Sequence, residues 1–318
     1  MQDLLIRGGE VIDGTGAPGR RADAVVRGDR IVTIEPEYEG PSRRVIEAHG
    51  HVVAPGFIDV KTHSDFTLPL YPRAESRVHQ GITTELIGSC GFTAAPIPPD
   101  RLAVVADYLS AMAPSLSFRE TSFAGYIESF PATSVNVGMQ VGHNTVRVAV
   151  MGLDNRAPTA QEQAAMERLV EEALDAGAVG VSSGPFTAPG AFASARELES
   201  LARLARLAAR HGARYATHLR DEAATVFEAA REAIAAAERT GARTRIVHIK
   251  VSGSDNWGGA TRLLDELAAA RERGVPIDCD HYPYTTALNP LRNLLPSWVQ
   301  EGGATPHAGA ARRRQSAQ

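Results

Sequence analysis

One cysteine and two histidines stand where three short apolar runs end. Cys90 follows the run 83–87, His218 follows 215–217 and His248 follows 245–247. A thiolate and two imidazoles suit Zn2+, and three protein ligands leave a fourth position open, as in catalytic zinc sites. Structural sites close all four positions, usually with paired cysteines. This chain has two cysteines, Cys90 and Cys279, far apart in sequence. A zinc held by the three residues would bring the pKa of a water down to about 7 and polarise a carbonyl oxygen. Both effects serve amide hydrolysis. Each residue also has a plainer reading by itself. A lone cysteine is commonly a small core residue, and a lone histidine at a strand end is often a satisfied polar group. The case rests on three such residues at three strand ends together. Cys279 lies inside a strand run and reads as core.

The elements that must position these residues are legible from residue 55 onward. Short apolar runs at 57–60, 83–87, 135–139, 178–181, 215–217, 245–247 and 275–279 alternate with Ala-rich amphipathic stretches. The clearest helices are predicted near 160–176, 195–211, 221–240 and 260–273. In the second, Leu198, Leu201, Leu204 and Ala208 recur at helical spacing on one face. Strand–helix alternation implies a parallel sheet covered by helices. The fold class is therefore α/β, a (β/α)8 TIM-like barrel with its active site at the carboxyl ends of the strands. A barrel of this type needs eight strands and typically ~250 residues. Seven candidates are present, so the barrel at 55–303 reads as incomplete, with strand 8 missing. Ahead of it, residues 1–54 read as short strands and turns, a small N-terminal β-sandwich portion.

Composition narrows the function classes. Hydrophobic residues are 43% and charged residues 22% of the chain, enough for a sizeable core and unlike a disordered protein. The formal net charge of -4 points to neither nucleic acid nor an anionic membrane as partner. No signal peptide is read at the N-terminus and no run is long enough to cross a bilayer. Two cysteines fit a reducing compartment, so a cytoplasmic protein with a small-molecule substrate is expected. After Gly303 the composition changes abruptly. Residues 304–318 read as a disordered tail of a truncated or frame-shifted product, with Arg312, Arg313 and Arg314 a solvated terminus rather than a nucleic-acid patch.

The segments Gly14-Thr15-Gly16-Ala17-Pro18, Pro55-Gly56-Phe57-Ile58-Asp59-Val60 and Gly88-Ser89-Cys90-Gly91 carry a resemblance, as do Thr217-His218-Leu219-Arg220-Asp221-Glu222, His248-Ile249-Lys250 and Tyr282-Pro283-Tyr284. With them the chain resembles the N-acyl-D-amino-acid deacylases, or D-aminoacylases, of the amidohydrolase superfamily, from residue 1 to about Gly303. The resemblance implies a barrel with a β-sandwich built from both chain ends. It implies one tight zinc on Cys90, His218 and His248, and an N-acyl-D-amino acid cut to a carboxylate and a free D-amino acid. It also implies substrate contacts from Lys250, Arg220, Tyr282 and Tyr284, since a substrate carboxylate needs a cation. For Arg220 an ion pair with Asp221 or Glu222 is an equal reading.

The chain departs from the family pattern twice. Where the family has His-x-His on strand 1, this chain has Lys61-Thr62-His63. A protonated lysine cannot ligate a metal and repels a nearby cation, so a second zinc site is in doubt and His63 stands as a ligand candidate alone. The family's general-base aspartate belongs to strand 8, and no residue here matches it. Without such a base, hydrolysis loses roughly 10²–10⁴-fold. Two rival readings follow: a non-catalytic remnant, and a cyclic-amide hydrolase of the dihydropyrimidinase or dihydroorotase kind. The second needs a carbamylated lysine between two metals. Lys61 is misplaced for that, and the strand 4 end, Ser182-Ser183-Gly184, offers none.

Overall fold

The computed structural model describes residues 1–207, 212–287, 289–296 and 299–302. The expected tail at 304–318 and Ala208 of the expected helix face lie outside them. Two compact units divide the chain, Met1–Phe57 and the residues from Ile58 onward.

The first unit is a five-stranded sheet. Its central strand β1 (Gln2–Val11) pairs antiparallel with β2 (Arg20–Arg27), and β2 pairs antiparallel with β3 (Arg30–Glu35). Strands β4 (Ser42–Glu47) and β5 (Val52–Val53) run parallel to β1. The Gly8-Gly9 pair does not break β1. The register shifts between Ile6 and Gly9 instead, a bulge that lets one strand continue.

The second unit carries a seven-stranded sheet in sequence order: β6 (Phe57–Asp59), β7 (Ile82–Ile87), β8 (Asn136–Gly142), β9 (Gly180–Ser183), β10 (Arg214–Thr217), β11 (Thr244–Ile246) and β12 (Ile277–Cys279). All seven predicted runs are strands, paired in parallel from β7 through to β12. The middle strand β9 is buried at every position, which is what a parallel sheet covered on both faces requires.

Helices α1 (Glu75–Val78), α2 (Leu102–Ser110), α3 (Phe123–Ser129) and α4 (His143–Met151) come before the clearly periodic ones. These are α5 (Ala160–Asp175), α6 (Ala195–Leu207), α7 (Val226–Thr240) and α8 (Ala260–Glu272). Helix α4 escaped the periodicity reading for a physical reason. Eight of its nine residues are buried, so it has no solvent face to mark a period. Helix α7 starts later than the expected 221. The Asp221 carboxylate accepts from Ala223 N at 2.9 Å, Thr225 N at 2.7 Å and Thr225 Oγ1 at 2.8 Å. Those bonds hold the segment in a turn in competition with helix.

Leu198 and Leu201 of α6 are buried, and Leu204 is half-buried. Alanines 229, 230, 233, 236 and 237 form the inner face of α7. Residues so small let helices sit close to the strands beneath. Among the described residues no helix is long and apolar enough to cross a membrane.

Candidate metal centre

The loop after β7 presents Cys90 through an unusual backbone. Gly88, Cys90 and Gly91 all have positive φ, at 77°, 54° and 80°. Ser182, at the end of β9, ties this loop down by donating to the Gly88 carbonyl and accepting from Gly91 N at 3.0 Å. Gly184 has to be glycine, because a Cβ there would lie 2.1 Å from the Cys90 carbonyl oxygen. His248, two residues past β11, is also left-handed, with φ 40°. A non-glycine residue there is uncommon, and its amide is held by Asp280 Oδ1 at 2.6 Å from the end of β12. Among the described residues, two of the three non-glycine residues with positive φ are thus Cys90 and His248. Backbone strain of this kind gathers where a side chain must be aimed.

His218 follows β10, its amide bonded to Ser183 O at 3.0 Å and its ring stacked on Phe186 with centroids 3.8 Å apart. These arrangements bring three ligand atoms to one point. Cys90 Sγ lies 3.9 Å from His218 Nδ1 and 3.4 Å from His248 Nε2, and the two nitrogens are 2.9 Å apart. All three residues are at least 94% buried. Their ligand atoms lie within 4.8 Å of one another, a span one metal ion can bridge.

The opposite ring nitrogens face a single carboxylate. Glu222 Oε1 is 3.5 Å from His218 Nε2, 3.2 Å from His248 Nδ1 and 2.6 Å from Lys250 Nζ. Ligating histidines are ordinarily fixed in tautomer and orientation by such a partner. Burial raises the Glu222 pKa, but the neighbouring His248, His218 and Lys250 outweigh it and hold the carboxyl below its usual range.

Burial likewise favours a neutral Cys90. The charge of Lys61, with hydrogen bonds from His218, His248 and His63, reverses that and holds the thiol well below its ordinary pKa. The thiolate is the form that binds metal. Burial and the Lys61 charge together lower the His63 imidazole, favouring its neutral form.

The remaining candidates take different places. His63 Nε2 is 3.1 Å from Lys61 Nζ, and His63 lies outside the three-residue cluster. Lys250 Nζ stands 5.4 Å from the centroid of the Tyr282 ring and 3.0 Å from His248 Nδ1. Tyr284 is exposed, its hydroxyl bonded to Gln80 Oε1 at 3.2 Å. Arg220 forms a two-pronged pair with Glu232 at 2.8 Å and also donates to the Ala191 and Ala193 carbonyls. Its ion-pair partner is therefore Glu232, not Asp221 or Glu222. His143 points elsewhere, 2.8 Å from Glu197 Oε1 in a buried cluster with Arg147. Asp65, two residues past His63, is fully buried, which pushes its pKa up to about 7.

Parallel strand–helix repetition with ligand-type side chains converging at the strand ends defines a barrel-type metal-site architecture. Residues 44–299 match the model of the amidohydrolase family, and the chain belongs to that family. It is 39% identical over 310 residues to an N-acyl-D-glutamate deacylase of Alcaligenes xylosoxydans xylosoxydans, covering 96% of this chain and 62% of that protein. A crystal structure of N-acyl-D-glutamate deacylase from Bordetella bronchiseptica, complexed with zinc and a phosphonate inhibitor mimicking the tetrahedral intermediate, superposes with a TM-score of 0.81 at 40% identity. That match covers 89% of this chain and 59% of the other. A D-aminoacylase structure described as having a binuclear metal centre gives a TM-score of 0.81 at 38% identity, with the same coverage. The chain spans about three-fifths of the length of these relatives.

Sequence reasoning passed over three contributors. Glu222 was visible as the end of the His218 segment and as a partner for Arg220, Lys61 as an obstacle, and Asp280 was given no part. Spacing along one chain does not show that three strand ends aim at a common point, so their shared role had no sequence signal.

Proposed function

We propose that this site holds one Zn2+ on Cys90, His218 and His248. We further propose that the reaction it serves is hydrolysis of the amide of an N-acyl-D-amino acid. The observation carrying the reading is the buried convergence of Cys90 Sγ, His218 Nδ1 and His248 Nε2. The donor set fits zinc: a thiol held below its ordinary pKa, with His218 Nδ1 and His248 Nε2 turned toward its sulfur. Bound there, zinc would supply an activated water and a Lewis acid for the scissile carbonyl.

The chain's own residues divide the remaining work. Glu222 faces both imidazoles on the side turned away from the ion and holds their orientation. Lys250 offers an ammonium beside the site for a substrate carboxylate, backed by the Tyr282 ring. Tyr284 adds an exposed hydroxyl on the same segment. Arg220 has its donors committed to Glu232 and two carbonyls, so its proposed part is to anchor the loop that carries His218. His63 is not counted as a ligand of this ion, because its Nε2 faces Lys61. The names of the similar deacylases support the substrate class.

Metal analysis of the purified chain tests the reading. One equivalent of zinc is expected, and Cys90→Ala should abolish it. Equal zinc in the variant would overturn the ligand set. Release of D-amino acid from N-acetyl-D-amino acids, measured alongside, tests the substrate class separately.

A further inference from the structure

We propose that Lys61 occupies the place of a second metal ion, closing this site to more than one divalent cation. The inference rests on the single-zinc reading above and adds the residue that enforces it.

The segment after β6 continues alongside β7, since Thr62 N bonds to Leu86 O at 3.0 Å. Lys61 and His63 lie in the bend that follows β6, where their side chains meet. Cys90 follows β7, so all three are neighbours at adjacent strand ends. A second ion beside the first would have to draw on His63, the imidazole next to this cluster. Lys61 Nζ already lies 3.1 Å from His63 Nε2. An ammonium donates into the same lone pair that a metal requires. The other His63 nitrogen, Nδ1, is buried. An ammonium so placed leaves no lone pair on His63 Nε2 to hold a second ion.

The test is zinc stoichiometry by elemental analysis after dialysis against a several-fold excess of Zn2+, followed by removal of free metal. The unaltered chain should hold one equivalent. Lys61→His and Lys61→Met, which free the His63 lone pair and remove the charge, should hold two. Lys61→Arg, which keeps a charge in place, should stay at one. Two equivalents in the unaltered chain would overturn the proposal while leaving the Cys90 site intact, as would one equivalent in both Lys61→His and Lys61→Met. No zinc in the unaltered chain would instead overturn the metal-site reading, and this inference with it.

Discussion

A single carboxylate oxygen, Glu222 Oε1, faces both imidazoles and the Lys250 ammonium. Its removal should loosen the aim of two ligands at once. Glu222→Gln keeps the shape and drops the charge, and zinc affinity is expected to fall about 10–100-fold. Competition against a chromophoric chelator measures it, and an unchanged affinity would refute the orienting role. Lys61 shows how far residue identity reaches. Its type alone says that it cannot ligate, but only its distance to His63 shows which lone pair it takes.

At the scale of elements, two buried or capped ion pairs hold the helices in place. Glu197 of α6 pairs with His143 and Arg147 of α4, all of them buried. Taking away one member of such a cluster leaves an uncompensated charge in the core. Glu197→Gln should therefore cost about 3–5 kcal/mol in denaturant unfolding, and a loss below 1 kcal/mol would show that the cluster is not essential.

Helix α5 opens with a capping box between Thr159 and Glu162, reinforced by Arg156. Hydrogen bonding from Arg156, then from the Thr159 amide, brings the Glu162 carboxyl down to about 2. An unfolded glutamate titrates near 4.3, so the folded state holds its proton less tightly. The stabilisation is complete above that unfolded value and is lost as pH falls through about 2. Thermal melts between pH 5 and 2 should show a shallower acid decline for Glu162→Gln than for the unaltered chain. Parallel declines would sink this account.

At the scale of the whole molecule, the ligands all belong to the unit from Ile58 onward, and none to the sheet of Met1–Phe57. Zinc that binds the folded form and not the unfolded one stabilises by mass action. At about a hundred times its dissociation constant the gain is ~2.7 kcal/mol. Calorimetry should show this as a raised Tm for the strand–helix unit, absent in Cys90→Ala. A matching rise in the variant would place the bound metal elsewhere.

Much of this architecture was legible from the residues. Apolar runs bounded by turn chemistry marked all seven strands, because a strand's buried side is written in local composition. Cys90, His218 and His248 were legible too, because each is a ligand type placed directly after such a run. The late start of α7 and the buried helix α4 were not, since the one depends on where a carboxylate turns and the other has no exposed face. The sequence by itself determined which side chains can bind metal and which strand ends carry them. Tertiary structure alone decided that three of those ends meet at one point, that Glu222 faces two of the imidazoles, that Lys61 reaches His63 and that Arg220 pairs with Glu232. Local propensity acts through neighbours along the chain, whereas a coordination site is a coincidence in space of residues up to 158 positions apart, set by how the sheet curls and the helices pack.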